Sequence, residues 1–165
     1  MAAKRPHPLD AIDVKILAAL QRDGRSTIAN LAQRVGLSPR ACLERVRRLE
    51  AAGVIAGYQA VVELRHLSRP VNVLAEIFLE KQASRSRFER RLSAIDAVVE
   101  CWEVSGTVDY VARFVCVDLA EYEELTSTLI DDSDLGVARI VSHVALRPVR
   151  RFTGYPERLF ARKPG

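Results

Sequence analysis

The sequence predicts an α+β chain in which an N-terminal helix-turn-helix segment is followed by a βαββαβ sandwich of the ferredoxin-like kind. Three observations carry this expectation. Residues 27–53, TIANLAQRVGLSPRACLERVRRLEAAG, hold two short helical patterns separated by Gly36, Leu37 and Ser38. From residue 71 onward, period-two and helix-period stretches alternate in the order β-α-β-β-α-β. Charge divides along the chain as well. Residues 1–65 carry 11 Lys/Arg against 6 Asp/Glu, residues 66–134 carry 7 against 14, and residues 135–165 carry 7 against 1. A basic first third beside an acidic middle implies separate roles, with a polyanionic partner at the N-terminal end.

Asp10 precedes a helix-period run with Ile12, Ile16, Leu17 and Leu20, and Asp23-Gly24 supplies its stop. Asp10 and Asp13 fall where negative charge favours a helix N-terminus. Thr27 then caps a short helix with Ile28, Leu31, Ala32 and Val35 on its inner face. Asn30 stands where a capping box would have Glu or Gln. Gly36 follows at the position where a left-handed residue reverses the chain. Ser38 caps the next helix and Pro39 occupies its first turn, where no hydrogen bond is lost. With Leu43 at the centre of the inner face, Cys42, Val46 and Leu49 share that side, and Arg40, Ala41, Glu44, Arg45 and Arg48 lie opposite. Arg47 falls near the border of the inner face and suits either role. Cys42 is expected in the core as a small hydrophobe.

After Gly53, the β-formers of VIAGYQAVVE predict a strand leaving the helix. The domain boundary is expected around residues 64–70. This divides the chain into residues 1–60, a linker at 61–70, a sandwich at 71–148 and a basic tail at 149–165. Val71, Val73, Ala75, Ile77 and Leu79 alternate with Asn72, Glu76 and Glu80 as a half-buried strand. Ser84 can cap a helix bearing Phe88, Leu92 and Ile95. Residues 97–104 and 109–117 read as strands broken at Ser105, Gly106 and Thr107. Asp118 with Glu121 forms a capping box before Leu119, Tyr122, Leu125 and Leu129, and Gly136 opens a last strand. Helices on one face of one sheet leave its other face open, so pairing with a second copy is expected.

The 48% hydrophobic content can build a core. No apolar run approaches the roughly 18 residues that span a bilayer, so no membrane partner is expected. MAAKRPHPLD lacks the apolar stretch of a secretory signal. Cys42, Cys101 and Cys116 are odd in number and lack metal-ligand spacing, which suits reduced thiols in a cytoplasm. Neither a metal nor a cofactor is expected. An enzyme would need a nucleophile-base or acid-base pair, and His143, Cys101 and Cys116 offer no such motif.

Two helices joined by a short glycine-containing turn present a recognition helix to the DNA major groove. Arg40, Ala41 and Glu44 are then expected at base edges, and Ser38, Arg45 and Arg48 at phosphates. Thr27 and Pro39, at the first turns of the two helices, complete the candidate set. The alternative is a solvated face of Arg40-Glu44-Arg48 pairs at i,i+4 spacing, each worth only tenths of a kcal/mol. The preceding helix, the turn and the cap favour double-stranded DNA.

The segments LDAIDVKILAALQRDGR, LAQRVGLSPRACLERVRRLEAAGVIAGYQA and VSGTVDY resemble the Lrp/AsnC (feast/famine) family from about residue 9 to residue 146. The resemblance implies a winged helix-turn-helix domain joined to an αβ sandwich. It also implies homodimers that assemble further, often to octamers, and an amino-acid effector held between sandwiches. The family's effector turn falls on Gly106, Thr107, Val108, Asp109 and Tyr110, together with Ser142. Many members have Asp and Tyr or Ala in place of Thr107 and Val108, and Thr in place of Ser142. Gly106 and Asp109 would equally serve a tight hairpin. Trp102 and His143 read as sheet residues. The implied function is a bacterial or archaeal transcription regulator, cytoplasmic and nucleoid-associated. The alternative is an architectural DNA-binding protein that senses nothing. The tail RPVRRFTGYPERLFARKPG lies beyond the resemblance. It could contact DNA, pack on a neighbouring subunit or remain mobile.

Overall fold

Asp10 starts α1 (Ala11–Arg22). Its carboxylate accepts the Ile12 and Asp13 backbone N–H groups at 2.9 and 2.8 Å, and Asp13 accepts the Asp10 N–H at 3.2 Å. This is a complete capping box with Asp in place of Glu or Gln. In the computed structural model, which describes residues 9–66, 69–80 and 83–160, two further helices follow. Residues 67–68 of the expected linker and the two basic chain ends, 1–8 and 161–165, lie outside the described residues.

Thr27 caps α2 (Ile28–Val35) by accepting the Asn30 N–H at 3.2 Å. Gly36, at φ +73°, ends it in the left-handed region. Ser38 accepts the Ala41 N–H at 3.3 Å at the start of α3 (Pro39–Ala51). The three helices bury Ile16, Leu17, Leu31, Ala32, Val35, Cys42, Val46 and Leu49 together. Leu43 is only half-buried and lies outside this cluster, so the inner face of α3 is centred on Cys42, Val46 and Leu49 instead. The strand expected after Gly53 does not form: residues 54–63 have no regular structure. Alternating β-formers make a strand only where a ladder partner exists, and among the described residues this segment pairs with no strand.

The chain divides into two units, Met1–Val61 with Arg150–Gly165, and Val62–Val149. The second unit contains β1 (Val71–Leu79), α4 (Arg85–Ser93), β2 (Val98–Glu103), β3 (Tyr110–Cys116), α5 (Leu119–Asp131) and β4 (Val137–Val144). Its strands form one antiparallel sheet in the order β2-β3-β1-β4, with Ala75 of β1 opposite both Ala112 and Ser142. Alternation puts Val73, Ala75, Ile77, Tyr110, Ala112, Phe114 and Cys116 on one face, where Phe88 and Leu92 of α4 and Tyr122 and Leu129 of α5 cover them. Phe114 meets Tyr122 edge-on, with ring centres 5.3 Å apart. On the other face, Leu74 and Trp102 are exposed and Arg139 lies 4.0 Å from the Phe78 ring centre. Ser84 precedes α4 but makes no side-chain cap bond. At α5 the box is displaced by one residue: Asp118 accepts the Glu121 N–H, while Glu121 accepts from Val117 at 2.6 Å.

The tail rejoins the first unit. Gln21 of α1 grips the Tyr155 backbone, accepting its N–H at 2.6 Å and donating to its carbonyl at 3.3 Å. Arg22 meets Glu157 at 2.6 Å, and Phe160 borders the first core.

Candidate DNA-binding and effector-binding sites

Capping fixes where α3 begins, so the positions of its first turns are set. Thr27, Ser38, Pro39, Arg40 and Glu44 are exposed, and Ala41 is half-buried. The Arg40 side chain is 90% exposed and touches Glu44 at 3.3 Å. This surface i,i+4 pair is weak enough to yield to a phosphate or base.

Arg45 and Arg48 are placed differently. One nitrogen of Arg45 bonds Asp10 at 2.6 Å and Asp13 at 2.9 Å, and Arg48 reaches both Asp13 oxygens at 3.0 Å. Asp13 is 1% exposed. Its carboxylate therefore ties the middle of α3 to the first turn of α1. The Asp13 backbone N–H and, next, Arg45 hold the Asp10 carboxyl below its ordinary pKa. Both guanidiniums retain unused donors, since each carries five N–H groups.

Arg47, near the border of the inner face and open to either role from its sequence position, is exposed and pairs with no acid among the described residues. Seven residues from Arg40, it lies about 20° away around the helix. Arg40, Glu44 and Arg47 thus form the outward stripe at i, i+4 and i+7. That spacing was the signal available in the sequence.

In the sandwich, residues 104–109 join β2 to β3. Gly106, at φ +118°, and Thr107 are exposed at the tip, and Val108 and Asp109 are half-buried. The Asp109 carboxylate accepts the Leu79 N–H at 2.9 Å and an Arg85 N–H at 2.6 Å. These two contacts, the backbone one first, keep its pKa below the usual carboxylate value. Arg85 also bonds Glu103 at 3.1 Å. Tyr110 is buried and donates its hydroxyl to Glu89 at 2.8 Å. Glu89, Cys101, Glu103 and Tyr110 border a cavity of about 450 Å³ between α4 and β2. Ser142 is elsewhere, with its hydroxyl 2.5 Å from that of Tyr122. Two strand spacings and a two-residue offset put its backbone about 12 Å from that of Tyr110. Residues 106–110 are therefore one constellation, and Ser142 belongs to another within a single chain.

Comparison with known proteins places both halves. A winged helix-turn-helix DNA-binding model matches residues 9–56, and an Lrp/AsnC ligand binding domain model matches residues 72–155. The leucine-responsive regulatory protein of Haemophilus influenzae is 43% identical over 132 residues, which cover 79% of this chain and 80% of that protein. The Bkd operon transcriptional regulator of Pseudomonas aeruginosa is 44% identical over 144 residues, covering 86% and 93%. Among solved structures, an AsnC family transcriptional regulator from Agrobacterium tumefaciens superposes with a TM-score of 0.83 at 30% identity, covering 92% of this chain and 99% of that one. The L-Met complex of a Neisseria meningitidis transcriptional regulator superposes at 0.82 with 28% identity, covering 90% and 96%. With two such domains in this order, the chain belongs to the Lrp/AsnC family of transcriptional regulators.

Proposed function

We propose that the protein is a cytoplasmic, sequence-specific DNA-binding regulator, and not an enzyme, whose DNA affinity or assembly changes when it binds an amino acid or a related metabolite. The observation that carries the first half is the exposed Arg40-Glu44-Arg47 stripe on a helix capped by Ser38 and braced from behind by Asp13. Arg40, Ala41 and Glu44 read base edges. Thr27, Ser38 and Pro39 line the entry to the groove, and Arg45, Arg47 and Arg48 offer N–H groups to phosphates. A homodimer sets two such helices about one helical turn apart. Further assembly to an octamer, and a place on a bacterial or archaeal nucleoid, complete the reading. Residues 1–60 form its DNA-binding domain, 61–70 its linker and 71–148 its sensing and assembly domain.

The effector half rests on the hairpin. Gly106 leaves backbone N–H groups open to a carboxylate, and the Thr107 hydroxyl and neighbouring glutamates suit an ammonium group. Val108, half-buried, and Tyr110, at the wall of the cavity between α4 and β2, add apolar surface next to the turn in sequence. Asp109, already satisfied by Leu79 and Arg85, shapes the turn. The named L-Met complex and the leucine-responsive relatives support an amino acid as the ligand class.

Mobility shift on promoter fragments tests the DNA contacts. Arg40→Ala is expected to weaken binding about fivefold or more, since a good base contact is worth roughly 1–3 kcal/mol, with an unchanged melting temperature. Unaltered affinity would remove Arg40 from the interface. A thermal-shift screen against amino acids and their degradation products tests the effector. A stabilising hit should vanish in Asp109→Ala, and a hit that survives moves the site off the hairpin. An architectural protein would show weak sequence preference and no shift with any amino acid.

A further inference from the structure

Neither candidate site uses the chain beyond β4. The two family models stop at Tyr155, so residues 156–165 lie outside them. From Arg150 this segment nevertheless belongs to the DNA-binding unit, and its seat there is specific. The Gln21 amide holds both the N–H and the carbonyl of Tyr155. Gly154 has φ +118°, and a Cβ there would stand 2.8 Å from Gln21 Oε1 and 2.9 Å from its Cδ. Both the dihedral and the close approach therefore call for glycine. Glu157 pairs with Arg22 at 2.6 Å, Phe152 meets Tyr155 edge-on at 5.0 Å, and Phe160 borders the helical core. An unattached basic terminus would need none of these contacts.

The electrostatic consequence is large. Residues 1–61 carry ten Lys/Arg and five Asp/Glu, whereas residues 150–165 carry five and one. Joining them raises the formal charge of the unit from +5 to +9, while residues 62–149 carry 10 basic against 15 acidic groups. The single acid of the tail, Glu157, is already bound to Arg22. Arg150 and Arg158 are exposed and meet no acid among the described residues. A basic segment has thus been seated on the basic unit and not on the acidic one. Self-repulsion opposes that placement unless a polyanion binds there.

We propose that the docked C-terminal segment is a second DNA-contacting element, in which Arg150 and Arg158 hold phosphates outside the groove read by α3. The inference rests on the DNA-binding reading above. Each phosphate contact contributes about 0.9 to the slope of log K against log salt. Binding to a short random-sequence duplex, followed by fluorescence anisotropy over a salt series, reads this directly. Arg150→Gln with Arg158→Gln is expected to flatten the slope by about one to two per protomer, with the melting temperature unchanged. Gly154→Val keeps every charge but unseats the segment, and is expected to weaken binding at low salt as well. A wild-type slope in the double glutamine variant overturns the phosphate contacts. Wild-type binding by Gly154→Val, with the segment shown to be released by proteolysis, overturns the need for docking. Salt-insensitive binding by the wild-type protein sinks this inference together with the reading beneath it.

Discussion

Asp13→Ala is expected to remove about 3 kcal/mol or more of stability from the DNA-binding unit, the lower part of the range for breaking a buried ion pair. Asp13 is 1% exposed and accepts from Arg45, from Arg48 and from the Asp10 backbone N–H. Alanine leaves two guanidiniums facing a small void and opens half of the α1 capping box, itself worth about 1 kcal/mol. Two features keep the loss from reaching the top of the range. Arg45 keeps Asp10 as a partner, and the Arg48 side chain is 49% exposed and can turn to water. Even so, a small domain holds only about 5 kcal/mol or slightly more, so most of the unit's stability is at stake. Urea unfolding followed by far-UV circular dichroism measures it. Asp13→Asn, which keeps the shape and one acceptor, should lose roughly half as much. A loss below about 1 kcal/mol in the alanine variant would show that Asp13 does not tie α3 to α1.

That role could not be read from the chain. Local chemistry was legible: Thr27, Gly36 and Ser38 cap and break helices by contacts spanning two to four residues, and each does so in the structure. The sandwich order was legible for the same reason, because alternation is a short-range signal and Val73, Ala75 and Ile77 all fall on the covered face. What failed to show were contacts between distant segments. Arg45 and Arg48 meet Asp13 across 32 and 35 residues, and Gln21 meets Tyr155 across 134. An arginine on a helix face looks the same whether it awaits a phosphate or a buried carboxylate. The residues after Gly53 differ in the opposite sense, because their β-propensity is real and no strand among the described residues pairs with them. At the hairpin, Gly106 and Asp109 were legible as a turn, but the bonds from Asp109 to Leu79 and Arg85 depend on how β1 and α4 meet it.

Phe114→Ala is expected to cost the sandwich about 3–5 kcal/mol, the usual price of emptying a buried aromatic site. Phe114 is fully buried on β3, opposite Val73 on one side and Val98 on the other, with Tyr122 edge-on above it. The void would loosen Tyr122 and with it the hydroxyl contact to Ser142. The two cores have no residue in common. Calorimetry should therefore show the sandwich transition falling in Phe114→Ala while the helical transition stays, and the converse in Asp13→Ala. One transition moved equally by both variants would mean that the units unfold together. Between the two transitions of the Phe114 variant, α3 remains folded on a chain whose sandwich is not. DNA binding in that interval should be weak, because nothing then fixes two recognition helices about one helical turn apart. Full affinity there would show that the sandwich contributes nothing to the spacing on which a paired binder depends.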